Sequence, residues 1–358
     1  MRSKPWIMPR LSALSALCAT LLVGCSRGPE GKEGTRNEPA SLSSSAPLAS
    51  SGAPRSPGSA GALPSTAPAS AAPGAAAQAS RCAGVTCVSI ERCDEATGAC
   101  VGSCPPGEVY IPATGPGGFT MGKGFTTNGG AQRLGKGHQP DSDRPHKVVL
   151  TRPFCMDEAE VTVAAMKSCV DAGKCESPKT GTGGANYPQR LDHPVNDTSW
   201  PKAKQFCLAQ GKDLPTEAQW EWAATGGDGR KWPWGDEQPT CEHADFVIGV
   251  LVSPSGDSGC GGGGTSPVKS KPKGNKVWPG GALYDLAGNV WEWCDDTFSS
   301  YPATEVADPR VQDPKVRVHV VRGGGWNRSV LGIQTMFRGA AITSYEVPGL
   351  GFRCVRNP

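Results

Sequence analysis

Few stretches of this chain carry a regular hydrophobic pattern. Between Lys315 and Arg322 valines alternate with polar residues, the period of a strand buried on one face, and Lys147–Leu150 gives a shorter strand signal. Three helices are predicted from their ends. Thr162 caps a segment that runs to Ala172 and stops at Gly173. Ser199 or Trp200, with Pro201 in the first turn, opens a second that ends at Gly211. Thr216 and Gln219 make a capping box for Glu217 to Thr225, closed by Gly226 and Gly227. Elsewhere Gly and Pro punctuate the chain into loops, with no βαβ alternation and no repeat period. The helices fall early and the strands are scattered, so the fold class is α+β with little regular structure. Nine of the ten tryptophans lie between Trp200 and Trp326, six of them as the pairs Trp220/Trp222, Trp232/Trp234 and Trp291/Trp293. In so loop-rich a domain, large rings supply the core that secondary structure does not.

Not all of the 358 residues can join that core. Arg2, Lys4 and Arg10 precede a short apolar run from Leu11 to Val23, so residues 1–24 read as a secretory signal peptide, too short to span a bilayer. Leu22-Val23-Gly24-Cys25 resembles the lipobox of bacterial lipoproteins, which implies lipidation at Cys25 and a membrane-anchored protein of the cell envelope. Ser26 after that cysteine implies the outer membrane by the usual sorting pattern. Between Ala40 and Ser80, 35 of 41 residues are Ala, Ser, Gly or Pro. Such a run buries too little apolar surface to offset its ordering entropy, so residues 25–80 read as a disordered tether. The net charge of +3 comes from mixed signs without a basic stripe, which excludes nucleic acid as a partner. The membrane, through the anchor, and an envelope protein or peptide remain.

Thirteen of the 15 cysteines lie beyond Cys25, and in an exported protein disulfides are the default. Cys82, Cys87, Cys93, Cys100 and Cys104 crowd a stretch almost without large apolar residues, so residues 81–104 read as a small disulfide module. The competing zinc reading lacks a CxxC pair and a nearby histidine. The odd total leaves one thiol free or bridged outside the chain. The main domain then occupies residues 105–358.

Familiar catalytic patterns are missing. The five histidines, His138, His146, His193, His243 and His319, show no H-x-x-x-H spacing, and there is no G-x-S-x-G elbow. The glycine-rich stretch from Gly259 to Gly264 lacks the Lys-Ser/Thr that a phosphate loop needs.

Eight segments stand out in order. They are Gly118-Phe119-Thr120-Met121-Gly122, Glu160-Val161-Thr162, and His193-Pro194-Val195 with Ser199-Trp200. Then come Leu214-Pro215-Thr216-Glu217-Ala218-Gln219-Trp220-Glu221-Trp222 and Pro233-Trp234-Gly235. The last three are Leu283-Tyr284-Asp285-Leu286-Ala287-Gly288-Asn289-Val290-Trp291-Glu292-Trp293, Arg322-Gly323-Gly324 and Gly351-Phe352-Arg353. In these segments the chain from Gly117 to Arg356 resembles the formylglycine-generating enzyme (sulfatase-modifying factor) family. The resemblance implies that family's irregular fold, related to C-type lectins and poor in secondary structure. It also implies a disulfide between Cys207 and Cys354. Cys169–Cys175 and Cys241–Cys260 are then the local pairs, with Cys155–Cys294 left by elimination.

The resemblance further implies a structural calcium site at Asp285, Gly288, Val290 and Glu292, with side-chain oxygens from the acids and carbonyls from the other two. Carboxylates around a glycine turn are hard ligands that suit calcium. The plainer reading is that the two acids accept backbone N–H groups in a turn. The family's other calcium site matches only at Asp245 and Phe246, its later acid falling at Cys260 with Asp257 nearby, and is not expected. Glu160 matches a position near the family's substrate cleft; its expected task is hydrogen bonding at a helix start. The family's oxidase chemistry uses two cysteines after R-G-G to hold copper and the substrate thiol, since soft thiolates suit Cu(I). Here that segment reads Gly325-Trp326-Asn327-Arg328-Ser329, and no cysteine lies between Cys294 and Cys354. No copper site is expected. The leading reading is a non-catalytic binding or scaffold module with a cleft lined by Glu160, Trp291, Trp326, Asn327 and Arg328. The alternative is an oxidoreductase of this family working through a non-standard site.

Overall fold

The computed structural model describes residues 80–98, 100–122, 144–181, 183–248, 259–260 and 262–358. The signal, Cys25, the tether up to residue 79 and Asp257 lie outside them.

The three helices form between the signals that bound them. Helix α1 spans Val163–Asp171, with the Thr162 hydroxyl accepting from the Ala165 N–H at 3.2 Å and Gly173 at φ +69° just beyond its end. Helix α2 spans Trp200–Ala209 after Ser199, which makes no side-chain cap, so Pro201 in the first turn carries the start. Helix α3 spans Glu217–Thr225 behind a complete capping box, and Gly226 ends it in the left-handed region at φ +69°.

The two expected strands are present as His146–Val149 and Val318–Arg322. The second begins later than its alternation suggests because Val316 donates to the Asp313 carbonyl at 3.0 Å, a turn that keeps Lys315 out of the sheet. The central strand, Trp291–Thr297, has no alternation to read, since all seven of its residues are buried. It lies between Val318–Arg322, antiparallel, and Leu350–Gly351, parallel, with Gly339–Ile342 completing the four-stranded sheet. Successive side chains of a strand point to opposite faces. Here Trp291 and Trp293 enter one core with Val163, Met166, Phe206 and Phe352, while Cys294 enters another with Trp220, Leu283 and Val320. Tryptophan does hold these layers together. The Trp293 indole donates to the Thr198 carbonyl at 2.8 Å, Trp200 to the Cys294 carbonyl at 2.9 Å, and Trp222 to the Pro112 carbonyl at 2.8 Å.

Six disulfides form among the described residues. Cys207–Cys354 joins α2 to the residue just before the last strand, Val355–Arg356, and Cys169–Cys175 and Cys241–Cys260 close local loops. Cys82–Cys93 and Cys87–Cys100 close the small N-terminal segment. The expected Cys155–Cys294 pair does not occur: Cys155 bonds Cys104, and Cys294 is a free, buried thiol. The reason is topological. Glu108–Ile111 pairs antiparallel with Phe154–Asp157, which carries Cys104 to Cys155, while Cys294 faces the core from the central strand. The five-cysteine segment thus has two internal disulfides and a third, through Cys104, that bolts it to the main domain. Tyr110 adds a second tie, its hydroxyl donating to Glu91 at 2.6 Å.

Candidate functional site

Two loops far apart in sequence build one site. The first runs from Asp285 to Glu292. Asp285, Gly288 and Asn289 all have positive φ, at +57°, +82° and +56°, which coils the backbone tightly. Gly288 is obligatory by space as well, because a Cβ there would lie 2.2 Å from the Asp245 carbonyl oxygen. The second loop follows Arg322, where Gly323 and Gly324 at φ +86° and +74° turn the chain away from the sheet. A Cβ on Gly324 would meet the Gly332 oxygen at 2.4 Å. Two backbone bonds lock the loops together: the Gly288 N–H donates to the Gly323 carbonyl at 2.9 Å, and the Trp326 N–H to the Asn289 carbonyl at 2.8 Å.

Glu160 fastens this junction from beneath. Its carboxylate accepts the Asn289 side-chain amide at 2.7 Å and the Val290 N–H at 3.1 Å. This corrects its expected role at a helix start: α1 is capped by Thr162, and Glu160 reaches across to the 285–292 loop. Burial pushes its carboxyl well above the ordinary range, and the like charges of Asp285 and Glu292 push it further. Asp285 accepts the Lys269 N–H at 2.6 Å, and burial raises its pKa to about 6. Glu292 is fully buried and spends both oxygens on the Arg353 fork, at 2.7 Å each, with the Trp220 indole donating at 2.8 Å. Burial works against the Arg353 guanidinium, but Glu292 more than offsets it and holds the pKa above its usual value.

The donor set can be weighed against a calcium ion. Four buried carboxylates, Glu160, Asp245, Asp285 and Glu292, face Arg353 and Lys271, whose Nζ is 3.2 Å from Asp245. That surplus of negative charge suits a hard cation near Asp285. Glu292 supplies an oxygen there only by sharing one with Arg353. At the family's second site, Cys260 is bonded to Cys241 and its N–H donates to the Phe246 carbonyl at 3.0 Å, while Asp257 lies outside the described residues.

Above the junction, the residues in the place of the family's thiols form an aromatic wall. Trp291 packs on Phe337 with ring centres 5.9 Å apart, and the Arg328 guanidinium lies 5.8 Å from the Trp291 ring centre. Trp326, Asn327 and Arg328 are partly exposed, and Tyr345 and Leu331 beside them are exposed. Of the five expected cleft residues, Trp291 is buried beside the Arg328 guanidinium, Trp326 and Asn327 are partly exposed on the segment that carries Arg328, and Glu160 supports the loop junction. Phe337 and Tyr345 were not legible, since both sit on irregular segments whose approach only the sheet dictates. Cys294, the one free thiol among the described residues, lies elsewhere, and burial pushes its pKa well up. It is inert by that criterion.

The comparisons agree with this geometry. Residues 103–358 match the family described as the sulfatase-modifying factor enzyme 1-like domain. The formylglycine-generating enzyme of Streptomyces coelicolor is 28% identical over 314 residues, covering 70% of this chain and 89% of that one. The inactive C-alpha-formylglycine-generating enzyme 2 of Bos taurus is 36% identical over 179 residues, 48% of this chain and 52% of its own length. Among solved structures, PvdO from Pseudomonas aeruginosa superimposes with a TM-score of 0.52 at 23% identity, over 70% of this chain and 94% of that one. At that identity the likeness speaks for the fold alone. With the family's motifs placed on one irregular α+β frame and its domain matched from residue 103 to the last residue, this chain belongs to the sulfatase-modifying factor family.

Proposed function

We propose that this protein is an exported lipoprotein, anchored at Cys25 to the outer membrane, whose domain is a non-catalytic binding or scaffold module. The observation that carries this reading is the segment after Arg322-Gly323-Gly324, where Asn327 and Arg328 stand in the thiol-bearing loop and no cysteine follows before Cys354. Copper chemistry with a substrate thiol needs two soft ligands there, and amide and guanidinium groups are not such ligands. The buried acids Glu160 and Glu292 are already committed to Asn289, Val290 and Arg353, so neither stands ready as a general base.

Calcium belongs to the proposal as a structural ion held by Asp285, Glu292 and the carbonyls of Gly288 and Val290. Bound there, it would offset the surplus charge beneath the junction and stiffen the turn that carries Trp326. Metal analysis of the purified chain, paired with thermal melts in calcium and in chelator, tests both parts. Calcium alone, with a lower Tm in chelator, supports the module. At a hundredfold excess over Kd the ion stabilises by about 2.7 kcal/mol. Stoichiometric copper or iron that survives dialysis, together with oxygen uptake on a cysteine-containing peptide, sinks the non-catalytic reading in favour of a family oxidoreductase with a non-standard site.

A further inference from the structure

Among the described residues Arg328 makes no ion pair, and its guanidinium has the Trp291 ring beside it. Its Nε is sealed from solvent and makes no hydrogen bond. Burial lowers its pKa, Tyr345 opposes that, and no ion pair to a carboxylate forms among the described residues. The side chain is nevertheless held in place. Its own N–H donates to the Gly325 carbonyl at 2.8 Å, its carbonyl accepts the Val247 N–H at 2.7 Å, and its guanidinium lies by the Trp291 face. Gly332 makes room for the stem, since a Cβ there would press on the Arg328 Cβ at 3.1 Å. Next to it, the Asn327 side-chain oxygen is buried and has no donor. A half-buried charge and a buried acceptor, both unanswered, cost stability in the free protein unless a ligand completes them.

We propose that Arg328 and Asn327 form a carboxylate-binding subsite for a peptide, a reading that rests on the binding-module function above. The Arg328 fork takes the carboxylate, Asn327 takes a peptide N–H, and the more exposed Trp326 and Tyr345 pack against a neighbouring apolar side chain. One guanidinium without a second cation matches a singly charged, planar anion; a phosphate would call for more positive charge. The carboxylate can come from an acidic side chain or from a chain terminus.

The test follows tryptophan indole N–H signals of the full chain during titration with three probes. They are N-acetyl-phenylalanyl-glutamate amide, its glutamine counterpart and N-acetyl-phenylalanylglycine with a free carboxylate. At least one carboxylate probe binds ten-fold or more tightly than the glutamine probe, and the stronger of the two identifies the source. Arg328→Met removes that preference while leaving the Tm equal or higher, because it deletes an unanswered charge. Equal binding of all three probes, unchanged in Arg328→Met, overturns the subsite and leaves the module standing. No shift with any probe removes both. A Tm several degrees lower in Arg328→Met makes the guanidinium structural and ends the proposal.

Discussion

Arg322 and Arg328 lie six positions apart and on either side of the same glycine turn, yet they meet opposite conditions. Arg322 is fully buried and its charge is paired: it bonds Glu221, donates to the Met336 carbonyl at 3.1 Å, and lies 5.2 Å from the Trp220 ring centre, although its Nε, like that of Arg328, makes no hydrogen bond. Around it Arg338 grips Glu217 at 2.6 and 2.8 Å, and the Tyr301 hydroxyl donates to Glu217 at 2.8 Å. Arg328 has a ring beside it, Trp291 at 5.8 Å, but no carboxylate partner among the described residues. The first arginine belongs to a closed network that fixes α3 against the central sheet; the second stands at the rim with its charge unspent. In a buried setting, an answered charge reads as framework and an unanswered one as a place for a ligand.

The largest effect should come from opening the framework at its longest tie. Replacing Cys207 and Cys354 together by serine frees a loop of 147 residues, which by chain entropy costs about 5 kcal/mol. Denaturant midpoints measure it. A loss below about 1 kcal/mol would mean the non-covalent framework suffices alone. Next, Arg322→Met strands Glu221 in the core and should cost about 3–5 kcal/mol. The same change at Arg328 should cost nothing, so this matched pair is the sharpest form of the contrast. Equal losses at both positions would erase it.

A smaller effect is set by pH. Asp296, in the framework, accepts the Glu217 and Val311 N–H groups at 2.7 and 2.6 Å, and burial raises its pKa from 3.8 to about 7. Between those values the folded chain holds a proton that the unfolded chain has released. Its contribution is therefore complete below pH 3.8 and disappears as pH rises through about 7. Denaturant midpoints should rise on going from pH 8 to pH 5, by on the order of 3 kcal/mol from this group at 1.36 kcal/mol per unit. Asp296→Asn should flatten that slope; an undiminished slope would assign it to other acids.

Legibility in the sequence divided along the same line. Helix ends were readable because caps act locally. Thr162, Thr216 with Gln219, and the glycines that follow each helix meet their partners within a few residues. The loop at Asp285–Glu292 and the turn after Arg322 were legible through their motifs. The central strand was not, because burial on both faces removes the alternation that marks a strand. Nor was the role of Glu160, whose partners lie 129 and 130 positions away.

The sequence by itself determined the helix boundaries, the α+β class, the family, and the lack of thiols after Arg322-Gly323-Gly324. All of these follow from local patterns or from residue identity. Only the tertiary structure decided that Cys155 meets Cys104, that Glu160 braces the two loops, and that Arg322 is answered while Arg328 is not. Pairing of charges and thiols depends on which strands lie side by side, and in a chain this loop-rich the nearest partner in space is seldom near in sequence.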